Sequence, residues 1–115
     1  MKYEAWVKRN WGDVKDPLRD LFIMTVGLAG ETGEVCELLK KDVRGRKGQS
    51  LDRRKLALEL GDVLHYLTRI AVRHKLSLGM IQRANVAKLE YRRKYRKNPK
   101  VEVAMAGKII FEGCK

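Results

Sequence analysis

The stretch Gly30-Glu31-Thr32-Gly33-Glu34-Val35 is matched in pattern, 28 residues later, by Leu58-Glu59-Leu60-Gly61-Asp62-Val63. Each stretch contains an acid, any residue, a glycine, an acid and a valine. Both lie in strongly helical surroundings, and acids three positions apart in a helix are separated by only about 60° around its axis. Each helix would therefore carry two carboxylates on one face, at the edge of an apolar stripe.

Apart from a weaker reverse pair of Glu59 with Lys55, the four acids of these stretches lack the basic partners that acids on a helix surface often have. They are Glu31, Glu34, Glu59 and Asp62. The positions four residues later, where a pairing lysine or arginine would stand, hold Val35, Leu38, Val63 and Tyr66. Carboxylates that converge away from water repel one another unless a cation lies between them, and oxygen-only ligands suit Mg²⁺ or Mn²⁺. The pattern therefore favours a metal site over a solvated helix surface.

A glycine stands between the two acids of each pair. Gly33 and Gly61 would each cost about 1 kcal/mol in the interior of a helix. We expect them to leave room for another backbone or for a ligand.

Composition narrows the class of protein. The 115 residues suffice for one domain with a modest core. Lysine and arginine outnumber aspartate and glutamate by 26 to 14, and the resulting net charge of +12 is typical of proteins with phosphate-bearing partners, either nucleotides or nucleic acid. The sequence shows no membrane-spanning run, no signal peptide and no cysteine framework, so a cytoplasmic protein without a membrane partner is expected.

Helical periodicity extends through most of the chain. The predicted helices cover residues 2–10, 17 to about 42, 53–74 and 78–97. Asp16-Pro17 is a typical helix start, Ser50 or Asp52 would cap the next long helix, and Ser77 would cap the last one. Long helices with short connections predict an all-α fold, an antiparallel four-helix-type bundle in which the two acid-bearing helices are neighbours.

The C-terminal region is predicted to differ from the rest. Asn98-Pro99 is expected to end the last helix, because the residue before a proline disfavours helical geometry. Residues 101–111 carry strand-like side chains around Ala106-Gly107 and predict a short hairpin that would need a surface to lie on. We therefore predict a helical domain over residues 1–97 and a non-helical tail over residues 98–115.

The helix predicted from Pro17 has an unusually wide apolar stripe. Its apolar positions span about 160° of the helical wheel, whereas a simple surface helix needs about 100°. A second buried face explains the excess, and a subunit interface would provide one. A homodimer is therefore expected.

Two groups of polar and basic residues suit a polyphosphate ligand. Lys40 and Lys41 follow the first acid pair by one to two helical turns. The second group stands at i, i+3 and i+7 of the last predicted helix and consists of Asn85, Lys88 and Arg92. Amide, ammonium and guanidinium groups all donate hydrogen bonds to phosphate oxygens. Beside a carboxylate metal site, they would complete a cleft for a metal–phosphate ligand.

These motifs, taken in order, resemble the MazG family. The resemblance rests on Gly27-Leu-Ala-Gly-Glu31-Thr-Gly-Glu34-Val, Lys40-Lys41, Glu59-Leu-Gly-Asp62-Val-Leu-His-Tyr-Leu and Asn85-Val-Ala-Lys88-Leu-Glu-Tyr-Arg92. The chain is most similar to the short, single-domain MazG-like nucleotide pyrophosphohydrolases, many of them from phages and bacteria. The family pattern often opens with two adjacent acids, and here Gly30 stands in the first of those positions. The region after Asn98 fits no pattern of the family.

The resemblance implies an all-α, Mg²⁺-dependent enzyme that cleaves a (d)NTP into a (d)NMP and pyrophosphate through metal-bound water. Such enzymes act as homodimers or dimers of dimers, and a phage-encoded member would act in the host cytoplasm. The metal ligands implied for this chain are Glu31, Glu34, Glu59 and Asp62. The implied phosphate contacts are Lys40 or Lys41, Asn85, Lys88 and Arg92. Glu34 is our candidate for the carboxylate that accepts the proton of the attacking water.

Aromatic residues are the candidates for a base pocket. The candidates are Trp6, Phe22 and Tyr66, with Trp11 also available for stacking. Each of these side chains also fits a position in the core or in a subunit interface.

Two other classes of function stay open. A nucleic-acid-binding module would explain the net charge and the basic run at residues 92–97, although half-buried acids would repel a phosphate backbone. A nucleotide-sensing regulatory protein would keep the fold without hydrolysis, and the loss of a metal ligand would favour it. None of the four acids is lost.

Overall fold

The computed structural model describes residues 2–12, 14–45 and 50–112. These residues form five α-helices and no strand. The helices are α1 (Tyr3–Asn10), α2 (Pro17–Arg44), α3 (Arg53–Arg73), α4 (Leu78–Lys94) and α5 (Pro99–Glu112). The predicted all-α class is confirmed. Residues 46–49, which stand between the helices predicted over residues 17 to about 42 and 53–74, lie outside the described residues, as does Cys114.

The starts of the helices follow the capping signals of the sequence. The side chain of Asp16 accepts hydrogen bonds from the backbone N–H groups of Leu18 and Arg19, and Pro17 occupies the first turn of α2. Asp52, one of the two predicted alternatives, accepts a bond of 2.9 Å from the N–H of Arg54 at the start of α3. The prediction that α4 begins after a serine cap is also confirmed, since Ser77 accepts a bond from Met80.

The chain divides into two compact units, the first ending at Ile70 and the second beginning at Ala71. In the first unit, residues of α2 and α3 approach one another at three levels. Residue numbers rise along α2 as they fall along α3: Asp20 contacts Arg69, Gly27 faces Tyr66, and Glu31 lies near Asp62. The acid-bearing helices are therefore antiparallel neighbours, as predicted.

Trp11 fixes the corner between α1 and α2. Its indole N–H donates a hydrogen bond of 2.8 Å to Oδ1 of the buried Asp20, and the Arg69 guanidinium lies 5.2 Å from the centre of the indole ring. The Trp11 ring also contacts the rings of His65 and Tyr66 on α3. A buried carboxylate needs such partners, because an unpaired buried charge is costly. These contacts hold the first residues of α2 against α3.

In the second unit, α4 and α5 pack closely against each other. The inward side of α5 carries Glu102, Met105, Ala106 and Ile109, which are spaced by three or four residues and are more buried than Val103 and Phe111. Ala84 on α4 and Ala106 on α5 line a cavity between the two helices.

The prediction of a non-helical C-terminal tail is wrong. Residues from Pro99 to Glu112 form the helix α5. Asn98 starts this helix, since its side chain accepts a hydrogen bond from the N–H of Val101 and its carbonyl accepts one from Glu102. Asparagine before proline is a signal for both the end and the start of a helix. Packing against α4 then overrides the strand propensity of the β-branched residues. The division into domains at residue 97 stays a prediction.

Few apolar side chains of the described chain are fully buried. They are Val7, Met24 and Ala71. On α2, Leu18, Phe22 and Val26 are exposed and, at a spacing of four residues, share one face. Phe22 leaves 66% of its surface accessible. The wide apolar stripe of α2 predicted a second buried face, and in a single chain much of this apolar surface is exposed. Among the described helices, none has the length and apolar character needed to cross a membrane.

Candidate metal and nucleotide site

Three of the four predicted metal ligands come together between α2 and α3. Glu31, Glu59 and Asp62 each offer a carboxylate oxygen, and these oxygens lie within 4.8 Å of one another. Glu31 comes from α2, and the other two acids come from α3, where the spacing of three residues puts them on one face. The antiparallel pairing of the helices therefore joins the two acid stretches of the sequence into one cluster.

The carboxylates of the cluster repel one another, and the effect is seen at Glu31. The pKa of Glu31 is raised above its ordinary value, first because of desolvation and then because of repulsion from Asp62, Glu59 and Glu34. Desolvation and nearby like charges both disfavour the ionised carboxylate. A cation among these oxygens would relieve both effects.

Glu34 lies at the margin of the cluster. Its side chain is exposed, and it is not among the three acids whose oxygens converge, although its charge raises the pKa of Glu31. Three of the four predicted acids therefore converge, and the four-carboxylate ligand set stays a prediction. A carboxylate beside the cluster, such as that of Glu34, need not take the position that a metal ligand requires.

The donor set suits a hard divalent cation. All three groups are carboxylates, which Mg²⁺ and Mn²⁺ prefer over softer ligands. Mg²⁺ holds its ligand oxygens at about 2.1 Å, so that opposite ligands lie about 4.2 Å apart. The three carboxylate oxygens lie within 4.8 Å of one another, so side-chain rotations would suffice to bring them to one ion.

A cavity of about 570 Å³ adjoins the acid cluster. It is lined by Tyr3, Trp6, Ala57, Leu58, Gly61, Asp62 and His65. The Tyr3 and Trp6 rings stack with their centres 6.2 Å apart, and 42% of the Trp6 surface is accessible. Because Asp62 belongs to both features, a ligand in this cavity would lie next to the acids.

The three aromatic residues predicted for a base pocket have different surroundings. Trp6 lines the cavity beside Asp62. Tyr66 instead packs against Gly27, Trp11 and His65. Phe22 is exposed on α2 and is not part of the cavity wall. Tyr3 and His65 were not predicted as site residues, although the spacing of three residues between Tyr3 and Trp6 would have placed both rings on one face of α1.

The glycines between the paired acids border open space. A Cβ atom built on Gly33 or Gly61 meets nothing within 4 Å. The expectation that these positions leave room for another group is consistent with this geometry. Gly61 lines the cavity beside Asp62.

The lysines predicted to bind phosphate lie near the end of α2. Lys40 forms an ion pair of 2.6 Å with Glu37, one turn earlier on the helix. Lys41 lines a second cavity, of about 320 Å³, together with Asp42, Asp52 and Lys55. Both lysines therefore have acidic neighbours on the surface.

The other predicted phosphate ligands lie in the second unit, on α4. Asn85 and Lys88 line a cavity of about 540 Å³ between α4 and α5, whose walls are otherwise mostly apolar. Arg92, one turn further along α4, donates a hydrogen bond from Nε to the carboxylate of Glu102 on α5. Glu102 was not predicted, because the sequence interpretation placed it in a hairpin. That Asn85, Lys88 and Arg92 act together with the acid cluster stays a prediction.

The paired helices α2 and α3 bring three carboxylates together, as the acid motifs of the sequence predicted for a divalent-metal site. Comparison with known proteins identifies the family. The MazG nucleotide pyrophosphohydrolase domain matches residues 22–97, and the chain belongs to this family. The matched region contains α3, α4 and all four acids, and it ends before α5.

A phage protein is similar over most of its length. The chain is 34% identical over 80 residues to the Gene 37 protein of Mycobacterium phage L5, an alignment covering 68% of this chain and 70% of that protein. No solved structure matches the chain.

Proposed function

We propose that this protein is a Mg²⁺-dependent nucleoside triphosphate pyrophosphohydrolase that converts a (d)NTP into a (d)NMP and pyrophosphate. The observation that carries the proposal is the convergence of Glu31, Glu59 and Asp62 within a chain of the pyrophosphohydrolase family. These three carboxylates would hold the divalent ion. When bound, the ion would screen phosphate charge and lower the pKa of a coordinated water.

The residues of the chain divide the work of the reaction. Water attacks the α-phosphorus, the bond from this phosphorus to the α–β bridging oxygen breaks, and pyrophosphate leaves with that oxygen. The proton of the water passes to Glu34, whose exposed carboxylate lies beside the other acids but outside the converging set. Asn85, Lys88 and Arg92 donate to the phosphate oxygens, with Lys40 or Lys41 as a further cation.

The cavity beside Asp62 supports a place for the nucleobase. Its aromatic wall, formed by Tyr3, Trp6 and His65, offers flat apolar surfaces on which a base would stack. Its position next to the acids would leave the triphosphate directed toward the metal ligands. This arrangement makes Trp6 the leading base-pocket residue among those predicted.

A homodimer is part of the proposal. The exposed face of α2 formed by Leu18, Phe22 and Val26 would be covered by a second copy of the chain. Burial of apolar surface stabilises by about 25 cal/mol per Å², and a single chain with so few buried side chains gains little of it. A cytoplasmic location belongs to the same proposal.

Product analysis tests this function. The protein is incubated with a panel of NTPs and dNTPs, with Mg²⁺ or with excess EDTA, in water enriched in ¹⁸O. We expect pyrophosphate and an ¹⁸O-labelled nucleoside monophosphate from at least one substrate, only when Mg²⁺ is present. Orthophosphate as the first product, label in the pyrophosphate, or full turnover in EDTA would contradict the proposal. Tight nucleotide binding without turnover would favour the regulatory alternative.

A further inference from the structure

Glu102 is a buried acid on the helix that the family pattern does not cover. It retains only 8% of its accessible surface, and its carboxylate accepts a hydrogen bond from Nε of Arg92. Residues 22–97 match the family, so Glu102 lies beyond the matched region. Burial of a carboxylate is costly unless a cation and hydrogen-bond donors compensate for it, and Arg92 supplies both.

The way in which Arg92 is held leaves part of its guanidinium group available. Within the described chain, Glu102 is the acceptor for Arg92 and engages Nε, at the side of the group. The Nη atoms at its end carry the remaining N–H donors, and the Arg92 side chain is 36% exposed. This end of a guanidinium group is the part that binds phosphate oxygens through two parallel hydrogen bonds.

Glu102 also shares a cavity with the other phosphate candidates of α4. Asn85, Lys88 and Glu102 line the same space between α4 and α5. Arg92 follows Lys88 by four residues and therefore lies on the same side of α4. A carboxylate without a cation would repel a phosphate at this place, whereas a carboxylate bound to Nε of an arginine is compensated and orients that arginine.

We propose that Glu102 is a positioning residue, which holds the guanidinium group of Arg92 so that its Nη atoms meet the polyphosphate of the substrate. This inference rests on the proposed function, in which Arg92 binds phosphate. The inference gives α5, which lies outside the region that matches the family, a role in substrate binding. An orientation fixed in advance lowers the entropy lost when the ligand binds.

Four variants of the full chain test the role. They are Glu102→Ala, Glu102→Gln, Arg92→Ala and the double variant Arg92→Ala/Glu102→Ala, with Glu112→Ala, also on α5, as the matched control. The probe is a nucleoside triphosphate analogue with a methylene group in place of the α–β bridging oxygen. Binding is measured by calorimetry in Mg²⁺, and KM and kcat are measured with the best substrate found in the panel.

The expected pattern separates positioning from packing. Glu102→Ala weakens binding about tenfold and raises KM more than it lowers kcat, because a contact equal in ground and transition states is lost. Glu102→Gln stays within about threefold of the wild type, because its amide oxygen still accepts from Nε. In the Arg92→Ala background, Glu102→Ala has no further effect. The control Glu112→Ala binds like the wild type.

Several outcomes would overturn the inference. One is unchanged binding by Glu102→Ala. Another is tighter binding by that variant, which would show that the carboxylate competes with phosphate. The third is that Glu102→Ala weakens binding as much in the Arg92→Ala background as in the wild type. If Glu102→Ala fails to fold, Glu102→Asp replaces it, because aspartate keeps the charge but its shorter side chain reaches less far toward Nε of Arg92. Binding by Glu102→Asp as tight as that of the wild type would contradict the positioning role. A wild type that binds the analogue but releases no pyrophosphate disproves the proposed function alone. A wild type that binds no triphosphate disproves both.

Discussion

The ring of Tyr66 on α3 fills the space that a side chain at Gly27 on α2 would need. A Cβ atom added to Gly27 would lie 2.3 Å from Cε1 of the ring, which is far inside the contact distance of two carbon atoms. Tyr66 also contacts Trp11 and His65, so its ring has little freedom to move away. The glycine in α2 therefore sets how α3 packs in the region next to the acid cluster.

Substitution of this glycine is expected to destabilise the protein. Gly27→Ala should lower the free energy of unfolding by about 1–3 kcal/mol, because an overpacked contact forces ring and backbone to shift. The control is Gly30→Ala, three residues later in the same helix, where a Cβ atom meets nothing within 4 Å. This control should gain up to about 1 kcal/mol from helix propensity. Denaturant unfolding in EDTA measures both, and a similar response of the two variants would contradict the packing account.

The raised pKa of Glu31 predicts how stability without metal depends on pH. Desolvation and repulsion by the other acids raise this pKa above its ordinary value of 4.5, so the folded state is penalised once Glu31 ionises. The penalty is absent at lower pH and grows as pH rises through the raised pKa. Glu31→Gln should therefore raise the unfolding free energy more near pH 7 than near pH 4.

A second acid on the same helix serves as a control of opposite sign. The pKa of Glu37 is lowered, first by its hydrogen bond from Lys40, so its contribution to stability is present above pH 4.5 and is lost as pH falls. Glu37→Gln should therefore lower stability near neutral pH and have less effect in acid. Unfolding curves between pH 4 and 7.5 in EDTA measure both variants. Parallel pH profiles for the two variants would refute the assigned environments.

Removal of one acid of the cluster should abolish turnover without loss of the fold. Asp62→Asn or Glu59→Gln removes one ligand of the ion and also part of the repulsion in the metal-free protein. We expect turnover to fall by at least about a hundredfold and the melting temperature in EDTA to stay equal or rise. Glu90→Gln, a change to an exposed acid paired with Arg93, is the control. Near-wild-type activity of either cluster variant would rule out the metal site.

The exposed face of α2 predicts the state of assembly. Phe22→Glu should convert the expected dimer into a monomer, because it puts a charge where a second chain would bury an aromatic ring. Phe111→Glu, at a similarly exposed phenylalanine on α5, should leave the dimer intact. Light scattering at micromolar concentration gives the mass of each. A wild-type mass of about 13 kDa across that range would refute the dimer.

The ammonium group of Lys88 is expected to bind phosphate equally strongly in the ground state and in the transition state. Lys88→Ala should raise KM more than it lowers kcat, if the contact is equally strong before and during the reaction. Lys108→Ala, a change to an exposed lysine on α5, is the matched control. Steady-state kinetics measure both parameters. A large fall in kcat at constant KM would make Lys88 a group that acts in the transition state.

The sequence by itself determined the helices α1 to α4, the caps of α2, α3 and α4, and the acids that share a face. Periodicity, a capping aspartate or serine, and proline at a first turn are local signals, because a helix closes its hydrogen bonds within a few residues. The pairs Glu31–Glu34 and Glu59–Asp62 could each be assigned to one helix face for the same reason, since a spacing of three fixes the face of a helix. Short connections then made α2 and α3 antiparallel neighbours.

Only the tertiary structure decided which of these residues meet. Glu34 has the spacing of a metal ligand, but its side chain stays outside the converging set, because convergence depends on the height and rotation of α2 against α3. Glu102 and α5 could not be predicted, since the side chains of residues 101–111 favour a strand locally, and packing against α4 overrides that preference. Contacts between residues distant in the chain depend on packing, which no local spacing encodes.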